Sequence, residues 1–375
     1  MQRSPAYPPR AYARFAARGW LISLLAIWVI GVVTVLIVPT HGKWMPEVSW
    51  LLSPFARWDS AWYYRIAAFG YFRPAAYVFF PLYPLVIDAL HALTGAPYVA
   101  AGVIASWVAD LGALLLLARL WREQAGDLLM RRALLLLLAY PSAFFLVAMY
   151  AESLYLLLSV GAYLLMRKGH WGWSALLIAF ASVERANGIL LLLPLLAYAW
   201  EASVRRCDAA FWRRALWSLL PIAALGAYLV FSYVKVGNPL EFVFQQATWH
   251  RHFTGAGFAL GYALIHVFYG QGLPLSILDF FVPLTFLLAM AFDRGKLSLG
   301  DKLYIFFGVL STVLDPSIPN GFVLMSATRL VMPYFPIYLS IAERLKDNQW
   351  RWTIAVMGAL QVWFWVSYTH WFFAG

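Results

Sequence analysis

An acidic residue, Asp59, stands among aromatic and basic side chains in the segment from Arg57 to Tyr71. Asp often caps the first turn of a helix and Gly70 can end one in the left-handed conformation, so the segment predicts a short helix over 58–69. The arginines near Asp59 are Arg57, Arg65 and Arg73. An aromatic and basic helix is typical of a membrane interface. There the carboxylate can act as a general base beside a bound phosphate, or it can simply cap the helix.

Charged and amide side chains also interrupt the apolar stretches further along the chain. They are Glu152, Glu184, Arg185, Asn187, His250, Arg251 and Arg329. Arginine binds phosphate through paired N–H groups, and charged residues at membrane depth usually face protein or a water-filled cavity. These residues are therefore candidates for contacts with a phosphate or with sugar hydroxyls. The alternative roles are a solvated turn for Glu152, a helix cap for Arg185 and Asn187, and an interfacial anchor for Arg329.

A metal site is the least supported of the possible functions. His250 and His252 follow Glu241 closely, but their spacing matches no specific ligand pattern, and scattered acids make a poor cage for a divalent cation. The single cysteine, Cys207, excludes an internal disulfide and a cysteine-cluster metal site. We therefore expect no metal cofactor.

Composition indicates a membrane protein that crosses the bilayer several times. Of the 375 residues, 63% are hydrophobic and only 12% are charged, whereas soluble domains carry about 25% charged residues. Runs of the roughly 20 apolar residues that cross a bilayer recur from Trp20 onwards. The net charge of +11 is then expected in cytoplasmic loops near anionic lipid, and nucleic acid is not an expected partner.

The basic residues fall into clusters that predict the topology. Six clusters hold 20 of the 28 Lys and Arg residues, and if all face the cytoplasm, an even number of crossings separates neighbouring clusters. This parity predicts a single integral-membrane domain over 1–375 with a cytoplasmic amino terminus and a long first external loop over 40–97. In this topology the apolar stretch 77–93 is a juxtamembrane helix that does not cross the membrane. The eleven predicted spans are 19–39, 98–118, 133–149, 154–166, 171–183, 188–200, 215–234, 273–291, 303–314, 329–343 and 352–373.

The order and spacing of short motifs resemble a known family. The motifs are Trp58-Asp59, Gly70-Tyr71, Phe79-Phe80-Pro81-Leu82-Tyr83-Pro84, Glu152-Ser153-Leu154, Arg185-Ala186-Asn187-Gly188, Gly237-Asn238-Pro239-Leu240 and the stretch from Arg329 to Pro336. From about residue 55 to 340 the chain resembles bacterial relatives of the phosphatidylinositol glycan class V mannosyltransferases, which belong to the glycosyltransferase C superfamily. Two positions depart from the family pattern: aromatic residues at Trp62 and Tyr63 replace a His, and Glu184 replaces a Thr.

The resemblance implies an all-α polytopic fold of the glycosyltransferase C type with about 11 transmembrane helices. It implies an enzyme of the bacterial inner membrane that transfers mannose, with inversion, from a polyprenyl-phosphate donor to a glycolipid or lipid-linked acceptor at the external face. Asp59 would be the catalytic base. Donor phosphate or sugar would contact Arg57, Arg65, Arg185, Asn187 and Arg329. Acceptor binding or support would come from Tyr63, Glu152, Glu184, His250 and Arg251.

Two other classes of function fit a chain of this composition. A transporter or flippase for lipid-linked sugars would also carry charged residues within the membrane. In the predicted topology, however, the polar residues gather at one end of the spans, and no inverted repeat is visible. A membrane subunit that binds prenyl lipid without catalysis would share the same apolar groove, and only the chemistry of Asp59 distinguishes it from an enzyme.

Overall fold

The computed structural model describes residues 10–38, 49–269, 274–317 and 323–372. Within these ranges the chain is helical, with a single isolated β-bridge between Arg251 and Ser317. The helices are α1 (Arg10–Ile37), α2 (Ser60–Phe69), α3 (Leu82–Thr94), α4 (Tyr98–Leu138), α5 (Glu152–Arg167), α6 (Trp171–Ser182), α7 (Leu192–Ala202), α8 (Ala209–Ala215), α9 (Leu219–Val236), α10 (Glu241–Phe244), α11 (Ala256–Tyr269), α12 (Pro274–Ala291), α13 (Leu299–Val313), α14 (Ala327–Val331), α15 (Ile337–Arg344) and α16 (Asp347–Thr369). Residues 40–48 of the predicted first loop lie outside the described ranges.

Three helical stretches of the described chain are long and apolar enough to cross a membrane. They are Ala11–Ile37, Tyr98–Leu138 and Ala209–Val236. The described chain also contains shorter apolar helices, among them α3, α6 and α12, of which α3 packs against α4 and α6 against α9. The structure is therefore that of a multi-pass membrane protein, whereas the number of eleven spans stays a prediction.

Helix α4 reverses direction at Gly126. This residue has φ 81° and ψ 177°, a left-handed conformation that glycine adopts without a steric penalty. On either side of it, Arg122 lies over the ring of Tyr12 and Arg131 lies over the ring of Phe15. Because both halves return to the same part of α1, they form a hairpin, and its basic turn is the loop that the sequence predicted between spans 98–118 and 133–149.

Several predicted boundaries were wrong. The predicted span 133–149 is helical only to Leu138, and it continues as a turn and a buried 3-10 helix over Ala143–Leu146 because Pro141 cannot donate the next helical hydrogen bond. The predicted span 329–343 is divided into α14 and α15 around Pro333 and Pro336.

The stretch 256–291 contains two helices where the sequence predicted one span. The additional helix, α11, has 14 residues and is about 21 Å long, which is shorter than the ~30 Å hydrocarbon core. The predicted juxtamembrane stretch 77–93 is likewise short, since α3 has 13 residues. By length, neither helix is expected to cross a membrane alone.

The segment between α6 and α7 is held tightly against α6. Gly188 lies so close to it that a Cβ atom at this position would stand 2.0 Å from the carbonyl oxygen of Ala181. Only glycine permits this approach. The close packing fixes the positions of Arg185 and Asn187, which lie just before Gly188 in the same segment.

Candidate functional site

A cavity of about 680 Å³ opens where α2, α5, α14 and the segment between α6 and α7 meet. Eight residues singled out in the sequence line it or lie at its wall: Asp59, Tyr63, Glu152, Glu184, Arg185, Asn187, Arg251 and Arg329. Aromatic side chains cover much of the remaining wall, including Trp58, Phe79, Phe80, Phe145, Tyr150, Phe242, Trp249 and Tyr368. The cavity therefore combines an ionic region with an apolar aromatic surface, as ligand sites commonly do.

Asp59 occupies the N-cap position of α2, but its side chain does not cap the helix. The carboxylate instead accepts a hydrogen bond from Arg329, with 3.1 Å between Oδ2 and Nη1. The hypothesis that the carboxylate is a helix cap was therefore wrong. The other end of α2 agrees with the prediction, since Gly70 ends the helix with φ 72°.

A chain of alternating charges runs from Asp59 into the protein. Arg329 lies between Asp59 and Glu152, with 3.6 Å between its Nε and Glu152 Oε1. The same oxygen accepts a hydrogen bond from Arg185 Nη2 at 3.1 Å. Glu152 is buried, with 1% of its surface exposed, so it is not the solvated turn residue that was one sequence-based alternative. The two arginines are thus held by one buried carboxylate.

The electrostatic environment stabilises the charge on Arg185. Burial opposes that charge, but Glu152 and the neighbouring phenols outweigh burial and raise the pKa of Arg185 above its usual range. The guanidinium also lies 5.1 Å from the ring centre of Tyr155. A fixed cation of this kind can stabilise negative charge that develops on a bound ligand.

Tyr63 and Asn187 contribute neutral polar groups to the cavity. Burial is the main cause that raises the pKa of the Tyr63 phenol well above its usual range, and the acidic side chains of Glu152, Asp59 and Glu184 raise it further. Tyr63 is thus a neutral hydroxyl surrounded by the ionic groups. Asn187 donates from Nδ2 to Ser311 Oγ at 3.0 Å and to the Tyr334 hydroxyl at 3.2 Å, which orients its amide.

Arg251 lies at another part of the cavity wall. Its guanidinium donates from Nη2 to the backbone carbonyl oxygen of Met325, and the residue forms the β-bridge with Ser317. Burial and the nearby Arg329 lower the pKa of Arg251 to about 10. A lowered arginine pKa indicates a positive charge that the protein compensates only in part.

Two tyrosines that the sequence did not single out hold the backbone before Asp59. The Tyr150 hydroxyl accepts a hydrogen bond from the Asp59 N–H at 3.1 Å and donates one to the Arg57 carbonyl oxygen at 3.2 Å. The Tyr368 hydroxyl also donates to that oxygen, and it accepts from the Arg57 N–H at 3.2 Å. Tyr150 stands two residues before Glu152, which was a usable signal, whereas nothing in the sequence connects Tyr368 with residue 57.

Three predicted site residues are not among the residues that line the cavity. Arg57 is 2% exposed and donates from Nε to the carbonyl oxygen of Thr369. Arg65 lies over the ring of Phe72. His250 is exposed and ends a 3-10 helix with φ 58°. The structure thus brings eight of the eleven predicted residues together around one cavity and leaves these three elsewhere.

In the part of the chain that the structure describes, the acidic and histidine residues do not form a cluster suited to a metal ion. Among the described residues, no group of three or more His, Cys, Asp or Glu side chains has the required proximity. Glu241, considered with His250 and His252, instead accepts hydrogen bonds from Asn238 and Gln245.

Comparison with known proteins relates part of the chain to a family of mannosyltransferases. Residues 45–202 match the family model described as Mannosyltransferase (PIG-V). The chain is 32% identical over 154 residues to GPI alpha-1,6-mannosyltransferase 2 of Homo sapiens, an alignment that covers 38% of this chain and 31% of the human protein. The resemblance noted in the sequence is therefore confirmed over a segment that contains Asp59, Glu152, Glu184 and Arg185.

The fold is similar to that of a solved bacterial protein. ArnT from Cupriavidus metallidurans, in a crystal structure bound to undecaprenyl phosphate, superposes with a TM-score of 0.51 at 17% identity, over 90% of this chain and 62% of that chain. Its apo structure gives the same TM-score at 16% identity. The chain thus spans about three fifths of the length of ArnT. This likeness supports the expected all-helical membrane fold.

Proposed function

We propose that this protein is a membrane glycosyltransferase that transfers mannose from a polyprenyl-phosphate donor to a hydroxyl group of a glycolipid or lipid-linked acceptor. The observation that carries the proposal is the charge chain from Asp59 through Arg329 and Glu152 to Arg185, which lines an aromatic cavity. The match to a mannosyltransferase family over residues 45–202 supports the choice of sugar. The likeness to a protein crystallised with undecaprenyl phosphate supports a lipid-linked donor.

In the proposed reaction the acceptor oxygen attacks the anomeric carbon of the donor sugar. The bond between that carbon and the phosphate oxygen breaks, and polyprenyl phosphate leaves with the bonding electrons. Asp59 accepts the proton of the acceptor hydroxyl as a general base. Because this is a single displacement at a carbon with oxocarbenium character, the anomeric configuration inverts. The scheme requires no metal ion.

The arginines of the cavity are proposed to hold the donor phosphate. Arg329 donates a hydrogen bond to the carboxylate of Asp59. A phosphate that replaced this contact would bind next to the reacting carbon and would release the carboxylate of Asp59 to accept a proton. Arg185 would contribute positive charge to the departing phosphate. The aromatic wall would contact the first isoprene units and the sugar ring.

A direct assay tests the function. Purified full-length protein is incubated with a panel of polyprenyl-phosphate sugars and a native lipid extract, and new glycolipids are identified by mass. Transfer of mannose supports the proposal. If the donors bind without transfer, the protein is a non-catalytic prenyl-lipid-binding subunit. A transporter would instead move labelled donor across vesicles without forming a product.

Accessibility labelling tests the proposed external position of the site. In a Cys207→Ser background, Ser49→Cys, at an exposed position of the first loop, is expected to react with an impermeant maleimide added to intact cells, and Gln124→Cys is expected to react only after permeabilisation. Residue 124 lies in the basic turn of α4, which the positive-inside rule places in the cytoplasm. External labelling of residue 124 would contradict the proposed topology.

A further inference from the structure

Glu184 is a buried acid of the cavity that the proposed reaction does not use. It is 3% exposed and stands at the cavity wall, between α6 and Arg185. Neither carboxyl oxygen makes a hydrogen bond of good geometry with the part of the chain that the structure describes. The backbone N–H of Tyr83 interacts with it only weakly. Buried polar atoms are nearly always hydrogen bonded, so the geometry indicates that the carboxyl group of Glu184 forms hydrogen bonds with a bound ligand.

The surroundings of Glu184 favour its uncharged form. The groups that face it are Arg185 beside it, Glu152 from α5, Tyr63 from α2 and Tyr83 from α3. Burial raises the pKa of Glu184 well above its usual range, Arg185 opposes this effect, and Glu152 adds to it. Arg185 cannot fully compensate Glu184 because its guanidinium is hydrogen bonded to Glu152 at 3.1 Å.

We infer that Glu184 is a neutral carboxylic acid that binds a hydroxyl group of an uncharged donor sugar, and that the site therefore selects against amino sugars. This inference rests on the proposed function. A protonated carboxyl has one donor and one good acceptor, and a sugar hydroxyl has the same pair, so the two can form reciprocal hydrogen bonds. An ammonium group would have to be buried in a region that already contains Arg185 and Arg329. The position of Glu184 next to Arg185 places this contact on the donor side, close to the proposed phosphate site.

The test compares an isosteric neutral variant with a truncated one. Glu184→Gln keeps an uncharged donor group, the amide NH2, and a carbonyl acceptor, and Glu184→Ala removes both. The binding of synthetic polyprenyl-phosphate mannose to full-length protein in detergent is measured by quenching of tryptophan fluorescence, and transfer is measured in parallel. Glu184→Gln is expected to bind within about threefold of wild type, and Glu184→Ala about 10-fold more weakly, the size of one lost hydrogen bond. The loss in Glu184→Ala should appear in KM more than in kcat.

A second measurement uses donors that differ in charge. Wild type is expected to bind the mannose donor about 10-fold or more tightly than its amino-sugar analogue. If the amino-sugar donor binds more tightly and Glu184→Gln abolishes that preference, Glu184 is an ionised ligand for ammonium and the inference is overturned. It is also overturned if Glu184→Gln binds the mannose donor as weakly as Glu184→Ala.

The two proposals fail in different ways. Binding does not depend on catalysis. If wild type binds the mannose donor without transferring mannose, the proposed function is contradicted. The affinities of Glu184→Gln and Glu184→Ala for the donor still decide the role of Glu184 in that case. A purely structural role is tested by the melting temperatures. If Glu184→Ala loses stability but not affinity per folded molecule, the residue does not contact the sugar.

Discussion

Two arginines close to the cavity show how differently the chain treats a buried cation. Arg57 donates to the carbonyl oxygens of Thr369 and Ala56 and to the hydroxyl of Ser53. Burial lowers the pKa of Arg57. Arg185 is paired with a buried carboxylate, and its pKa is raised.

This difference separates two regions. In the supporting region, Arg57, Tyr150 and Tyr368 hold the backbone before Asp59 through hydrogen bonds. The reactive region is the charge chain from Asp59 to Arg185. A guanidinium that uses its N–H groups on backbone oxygens anchors the chain, since those bonds fix two remote segments to each other. A guanidinium paired with carboxylates can exchange one anion for another when a ligand binds. Arg57 and Asp59 are two residues apart in the sequence, yet the side chain of Arg57 belongs to the supporting region and that of Asp59 to the charge chain.

The largest expected effect is the loss of transfer rate caused by a substitution in the reactive region. Asp59→Asn should lower the rate of transfer by about 10²- to 10⁴-fold because the amide cannot accept the proton. Donor binding and the melting temperature should change little, since the side chain caps no helix. Rate, affinity and melting temperature are measured on the same preparation. Near-normal transfer by folded Asp59→Asn would contradict the role of Asp59 and leave Glu152 as the next candidate base.

Changes at Arg185 should affect donor affinity. Arg185→Ala is expected to weaken binding of polyprenyl-phosphate mannose by about 10- to 100-fold, the size of a lost hydrogen bond to a charged group. Arg185→Lys should recover only part of this loss because lysine lacks the planar fork. Arg213→Ala, which removes an exposed arginine of α8, is the matched control. Unchanged affinity in Arg185→Ala would mean that the phosphate binds elsewhere.

Substitutions in the supporting region should lower the stability of the fold more than the rate of transfer. Tyr368→Phe removes the hydroxyl that accepts from the Arg57 N–H and donates to its carbonyl oxygen. A buried N–H left without its partner costs about 1–3 kcal/mol, so the melting temperature should fall. Tyr233→Phe, which alters an exposed tyrosine of α9, should melt like wild type. If Tyr368→Phe lowers the rate of transfer as much as Asp59→Asn does, while its melting temperature stays that of wild type, the supporting region and the reactive region are not separate.

The smallest expected effect is a change in the pH dependence of stability. Glutamate in the unfolded chain ionises at a pKa of about 4.3, whereas burial raises the pKa of Glu184 in the folded protein. The folded state therefore keeps the proton longer, and this contribution to stability is lost as the pH rises through the folded pKa. Because glutamine does not titrate, the melting temperature of Glu184→Gln should rise relative to that of wild type as the pH increases from about 4.3 towards neutrality. A constant difference across this range would mean that Glu184 is not protonated in the folded protein.

The sequence predicted the helical membrane fold and the main acidic residue for reasons of local physics. Apolar runs, basic clusters and the Asp59 to Gly70 segment each carry their signal within one stretch of chain. The partner of Asp59 could not be predicted, because Arg329 lies 270 residues away and local patterns do not report such a contact. The capping hypothesis failed for the same reason: the capping rule considers only nearby N–H groups, while a buried guanidinium offers a stronger bond.

The helix boundaries show a second limit. Hydrophobicity predicts that a stretch is buried, but it does not distinguish a membrane span from a buried irregular segment. Residues 139–149 are apolar and almost fully buried, yet they form turns and a 3-10 helix that pack against α2 and α16. The aromatic residues Phe144 and Phe145 fill the space beside Tyr368, a packing role that composition alone assigns equally well to a span.

The bond between Arg57 and Thr369 also sets the order in which this protein can mature. These residues are 312 positions apart, and at roughly 5–20 residues per second a ribosome needs about 15–60 s to extend the chain from one to the other. During that interval the loop that carries Asp59 has already emerged without its final anchor. The segment that carries Asp59 therefore receives this anchor only after the end of α16 has been synthesised.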